Sequence, residues 1–295
     1  MSRVITLVAV TLLFTAPGAF AQEKPDFRWD PKKEPVDEVG DKYFIEEDLT
    51  DFVKSKVEAP GREPQVQDQE TVRRFRAVHE VLAAEGGKAT RKRVVVERWE
   101  VTPKGGPADR TLAGKTIVVE GPPAARKATV DGGEAGLSRA AKEWIQKELI
   151  IDRPGVKEAM NPKAPVADGE EWPIDPAVVV EQMFKGAEID PAKSSGKARL
   201  SQVQEKDGVH RGHVDVSIAI QLLKLPGTPL AWKEGGLLEV TFGGEVQLDP
   251  PGHGSRADIS VKLGGVAEVE GETGVTRVRM ELHSKGTQAK GPVDG

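Results

Sequence analysis

From Leu237 to His283 apolar and polar residues alternate with a period of two, and this limits the segment to strands. Leu238, Val240 and Phe242 fall on one side, with Glu239 and Thr241 on the other. Ala257, Ile259, Val261 and Leu263 alternate with Asp258, Ser260 and Lys262, and Val278, Met280 and Leu282 with Arg277, Arg279, Glu281 and His283. Successive strand side chains point to opposite faces, so each segment presents one dry and one wet face. Gly243-Gly244, Pro250-Pro251-Gly252 and Gly264-Gly265 read as turns or bulges between short strands. Upstream, Val214, Val216, Ile218, Ile220 and Leu222 alternate strictly with His213, Asp215, Ser217, Ala219 and Gln221 after an Asp207-Gly208 turn. The fold class that follows is mainly β (α+β): curved antiparallel sheet, arranged as two related halves or as a half-barrel, with two short covering helices.

The rest of the chain divides around this pattern. Residues 1–21 have the form of a secretory signal peptide: Arg3, an apolar run from Val4 to Phe14, and Ala19-Phe20-Ala21 as a small-x-small cleavage site. The run is too short to anchor in a bilayer. Residues 22–40 read as an extended leader in which Trp29 docks on the sheet. Residues 41–135 form a first β half, with strands near Asp41–Val57, Val78–Ala83, Arg91–Val101, Leu112–Glu120 and Lys127–Val130 and a Gly86-Gly87 hairpin turn. For Glu46–Val57 a helix also fits the spacing.

Residues 136–192 form a helical connection. It holds an amphipathic helix over Leu137–Ile151, and a second over Pro176–Lys185 that starts at an Asp175 N-cap with proline at N1. Another helical turn is expected at Ile189-Asp190-Pro191. Residues 193–285 form the second β half, and 286–295 a disordered tail.

Paired short motifs recur between the halves roughly 125 residues apart, as a duplicated unit would leave them. They are Val39–Tyr43 with Asp168–Trp172, Gly86-Gly87 with Asp207-Gly208, and Leu112–Gly114 with Leu237–Glu239. Gly40-Asp41-Lys42-Tyr43, Gly169-Glu170-Glu171-Trp172-Pro173 and the Leu237–His283 meander together resemble a loosely defined group of secreted bacterial β-rich proteins. That resemblance implies export and a β scaffold, and no particular activity. At fold level the pattern is also similar to the half-open barrels of periplasmic lipoprotein carriers.

Chemistry is sparse. The absence of cysteine removes disulfides, thiol catalysis and thiolate metal sites. A net charge of −5 with interspersed signs argues against a nucleic-acid partner. Gly114-Lys115-Thr116 imitates the end of a phosphate loop, but position 109 is Asp and the β-branched residues that follow favour a strand. His210 and His213, three apart in a strand, fall on opposite faces, and His79 and His283 stand apart from them. Asp249, His253 and Ser255 share a glycine-rich loop without a nucleophile elbow.

The expectation is therefore an exported protein, periplasmic or extracellular, with no cofactor, metal or catalytic set. Its partner is a hydrophobic or lipid-like molecule in an apolar groove between sheet and helices, lined by Trp144, Ile145, Ile218, Ile220, Phe242 and Met280. The alternative is a structural or protein-interaction domain of the envelope; a hydrolase without a recognisable motif comes third.

Overall fold

A computed structural model describes residues 27–31, 36–122, 125–150, 159–225, 231–250, 252, 254–271 and 274–293. The expected signal peptide, Ile151 at the end of the first expected helix, Pro251 and His253 lie outside them.

Thirteen strands are present among the described residues. The first half holds β1 (Arg28–Trp29), β2 (Lys42–Glu58), β3 (Gln65–Glu85), β4 (Lys88–Pro103), β5 (Thr116–Glu120) and β6 (Lys127–Val130). The connection adds β7 (Val166–Ala167) and β8 (Glu171–Pro173). The second half holds β9 (Glu188–Lys206), β10 (Val209–Lys224), β11 (Ala231–Asp249), β12 (Ser255–Gly271) and β13 (Gly274–Pro292). Helix α1 (Arg139–Trp144) widens into a π-helical turn over Ile145–Ile150, and α2 spans Pro176–Met183.

Eleven strands form one antiparallel sheet in the order β6-β5-β4-β3-β2-β13-β12-β11-β10-β9-β8, while β1 pairs with β7. The sheet is curved and not closed into a barrel. Its two halves share it: β13, the last strand, lies along β2, the first long one, from Arg277↔Glu58 to Pro292↔Tyr43. This pairing corrects the expected tail, because residues 286–292 continue β13. They read as disordered because Gly286, Lys290 and Gly291 carry little apolar signal, yet the segment pairs with β2 throughout and with β12 as far as Lys290.

The glycine pairs, expected as turns or bulges, lie inside strands rather than between them. Gly243 and Gly244 sit within β11, and a side chain at Gly244 would overlap the Arg256 carbonyl and Ala257 of β12. There glycine permits close strand approach rather than a turn. Gly235 and Gly236, at φ +72° and +67°, form a bulge in the same strand against Gly265, with Trp232 packed on it. The turn signals at Gly86-Gly87 and Asp207-Gly208 do close the β3–β4 and β9–β10 hairpins.

Glu46–Val57 is strand, not helix. Ile189-Asp190-Pro191 lies in β9 rather than a helical turn, so the second β half begins inside the expected connection. Gly40 and Gly169 both take positive φ just before a strand that buries an aromatic ring, Tyr43 or Trp172. The third repeat pair fails, since 112–114 is a turn and 237–239 is mid-strand.

Both helices cover the same face. α1 and its π turn bury Leu137, Ala141, Ile145 and Leu149 against Phe75, Ala77, Val94, Val96, Trp99 and Ile117. Ser138 caps α1 by accepting from the Ala141 N–H, and its hydroxyl donates to Asp109. α2 buries Val179 and Val180 at the other end, against Leu200, Ile218, Ile220, Leu222 and Leu238. Asp175 caps it through the Ala177 N–H at 2.9 Å. Phe27 and Trp29 of the leader also dock there, Trp29 edge-on to Trp172 with ring centroids 6.0 Å apart.

Candidate functional site

The expected apolar groove divides into two packed clusters. Trp144 and Ile145 belong to the cluster under α1, where Trp144 lies 4.6 Å from the Phe75 ring and 5.7 Å from the Trp99 ring, centroid to centroid. Ile218, Ile220, Phe242 and Met280 belong to the cluster under α2, with Ile218 1 % and Ile220 0 % exposed.

A polar strip on the middle strands separates the clusters. Glu47 accepts a hydrogen bond from Gln288 at 2.7 Å, and Arg73 donates to Asp51 at 3.1 Å. Burial pushes the Glu47 carboxyl up, helped by the nearby Glu148 carboxylate and opposed by Gln288 and the Arg73 charge. Because the folded state favours protonated Glu47, its contribution to stability is full below the ordinary glutamate pKa. It is lost as pH rises through the raised folded value. Glu47→Gln should therefore stabilise the protein at neutral pH and flatten this part of the pH–stability curve, as measured by urea unfolding at pH 4 and pH 7.

The opposite, wet face carries the larger open site. A concavity of about 890 Å³ touches six adjacent strands, from Arg74 on β3 to Asp215 on β10, so the sheet curves around its wet face there. Cross-strand register orders the lining into rows. The floor row runs Thr241, Ser260, Lys285, Thr50 and Val72, one residue on each of five strands, and Ser217 of β10 continues it outside the lining. One row towards β10's start come Asp215, Gly243, Asp258, Thr287, Asp48 and Arg74. On the other side lie Lys262 and His283, opposite each other.

Within the concavity the His283 Nε2 lies 3.3 Å from the Ser260 Oγ, and the His213 Nε2 at its rim lies 3.1 Å from the Asp215 Oδ1. Arg74 approaches Asp48 at 3.9 Å. Lys262, Lys285 and Asp258 make no ion pair among the described residues. Three carboxylates and three cationic side chains thus line one groove, with both lysines outside the carboxylate row and Arg74 at its β3 end beside Asp48.

Sequence reading placed Asp258, Ser260, Lys262 and His283 on a wet face. What it lacked was the register that aligns them with Asp215, Thr241, Thr50 and Lys285. Of the other histidines, His79 stacks on Tyr43 at 5.1 Å and His210 on Phe27 at 4.1 Å. No group of three or more histidine or acidic residues is placed to hold a metal ion among the described residues.

No family model matches the chain, and no curated protein matches it. Among solved structures, it is similar to a lipovitellin described for its lipid–protein interactions, at 8% identity and a TM-score of 0.35 over 88% of this chain. The match spans 26% of the lipovitellin chain, about a quarter of its length. Ail, the attachment invasion locus protein of Yersinia pestis, gives 7% identity and a TM-score of 0.14 over 85% of this chain and 99% of Ail. A mutant porin of Rh. blastica gives 10% and 0.18 over 84% of this chain and 100% of the porin. None of these similarities bears on what the chain binds. Among the described residues, no helix is long and apolar enough to cross a membrane.

Proposed function

We propose that the protein is an exported, non-enzymatic binding protein of the bacterial envelope whose ligand lies in the concave wet face of the sheet. The groove itself carries this reading: it spans six strands, and its floor offers hydroxyls and charges on regular strands. Residues held on paired strands are positioned more rigidly than residues on loops. An apolar ligand between sheet and helices would have to displace Ile218, Ile220 and Leu222, which are already packed. Hydrolysis at Ser260 and His283 is disfavoured, because Ser260 lies within a strand paired with β11 and β13, so the backbone amides beside it serve the ladders.

Export rests on Arg3, the apolar run and Ala19-Phe20-Ala21. The mature chain should begin at Gln22 by N-terminal sequencing, and a secreted chain that retains Met1 would refute it.

The binding reading is tested by filling the groove. Thr241→Trp places an indole on its floor. Native mass spectrometry of the wild type, purified from its producing cells, should show a bound non-protein mass that the variant lacks, with melting temperatures alike. A bare chain mass for the wild type would overturn the reading.

A further inference from the structure

Resting on that reading, we propose that the groove recognises a phosphoryl group joined to a primary amine by a short linker, a zwitterion held across the charged rows. With three acids and three bases among its lining residues, the groove offers a simple anion or cation little net attraction. Around Asp258 the charges are nevertheless segregated, with Lys285 one row and Lys262 two rows away, while Arg74 sits at the far β3 end beside Asp48. Adjacent rows on one strand face are about 7 Å apart, two residues of strand rise. A ligand with opposite charges at its two ends meets both rows, and a two-carbon linker approaches that spacing.

The phosphoryl end is assigned to Lys285, Lys262, His283, Ser260 and Thr50. Lys285 is directly opposite both Ser260 and Thr50, and Lys262 opposite His283, so these five side chains occupy three adjacent strands. Two ammonium groups, an imidazole and two hydroxyls on two adjacent rows suit a tetrahedral group with three acceptor oxygens better than a planar carboxylate with two. Glu239 faces Lys262 across β11–β12 but makes no ion pair with it among the described residues.

The amine end is assigned to Asp258 and Asp215. They flank Gly243, whose missing side chain leaves the space between them open. A Cβ there would lie 3.2 Å from the Asp215 Oδ1, so this carboxylate leans over the glycine. His213 contacts the same oxygen and Arg74 approaches Asp48 in the row, which leaves Asp258 as the carboxylate with no ion pair among the described residues. A primary ammonium has three N–H donors for such carboxylates, whereas a quaternary ammonium is held by aromatic faces. Phe242, the one aromatic ring of the lining besides His283, lies in a strand whose register turns it to the dry face with Val216 and Ile259.

The test is an NMR titration of the purified chain with O-phosphoethanolamine, O-phosphocholine and inorganic phosphate. O-phosphoethanolamine should bind saturably, moving the Ser260, Lys262, His283 and Lys285 amides, and about tenfold more tightly than either of the others. Lys262→Gln with Lys285→Gln should abolish binding of all three probes. Asp258→Asn should bring O-phosphoethanolamine down to the affinity of phosphate, a change that general loss of structure would not produce. Co-sedimentation with phosphatidylethanolamine vesicles but not phosphatidylcholine vesicles would identify a lipid head group as the source. Binding of the soluble zwitterion without vesicle binding would identify a free metabolite. Phosphate binding equal to O-phosphoethanolamine, or no saturable binding of any probe, would overturn the assignment. If the latter occurs while Thr241→Trp still strips a co-purifying ligand, the groove remains the binding face and only the zwitterion assignment falls.

Discussion

Ile218→Ala is expected to lower the unfolding free energy by about 2–5 kcal/mol. Ile218 is 1 % exposed in the middle of β10, between Gly196 of β9 and Val240 of β11. It packs in the cluster under α2, so truncation leaves a cavity that surrounding strands cannot easily close. Ser217, one residue earlier, points to the wet face and is exposed. Ser217→Ala should therefore change stability by no more than about 0.5 kcal/mol. Urea unfolding of both variants reads the difference, and equal losses would mean that the two faces have been wrongly assigned.

The second large effect is expected where β2 and β13 join the two halves of the sheet. Gly286 of β13 lies opposite Leu49 of β2 and Ile259 of β12. A side chain there would overlap the Asp48 carbonyl and the Leu49 Cα, and backbone cannot rotate away as a flexible side chain could. Gly286→Val must part β13 from β2, at a cost of about 1–3 kcal/mol or more. Hydrogen exchange should locate the damage in Asp48–Thr50 and Lys285–Thr287, with the β9–β10 hairpin still protected. Unchanged protection along the β2–β13 pairing would contradict the strand order.

Individual elements were legible where side-chain pattern and backbone demand coincide. The strict alternation from Val214 to Leu222 fixed both the strand and its dry face. Asp175-Pro176 announced a helix start, because the aspartate caps and the proline fits N1. The ends of β2 and β13 were harder. Glu47, Asp51 and Arg73 lie on the dry face, and their mutual and Gln288 contacts replace the apolar pairs that a pattern search seeks.

The groove was beyond reach for a different reason. Its rows combine Thr50 and Asp48 with residues more than two hundred positions away, and that alignment depends on register, which a single sequence does not carry. The same gap explains the misplaced apolar site. Trp144 and Ile218 share a face of the sheet, as their apolar surroundings suggested, but the β2–β13 strip stands between them.

The most direct measurement asks which face of the sheet accepts a ligand. The native protein should be titrated with an environment-sensitive apolar dye while tryptophan quenching by acrylamide is followed. With the dry face closed beneath α1 and α2, dye fluorescence should show no saturable rise and the buried tryptophans should remain protected. A saturable rise at native conditions, with tryptophan emission shifting in step, would place an open apolar groove between sheet and helices and contradict a wet-face binding site.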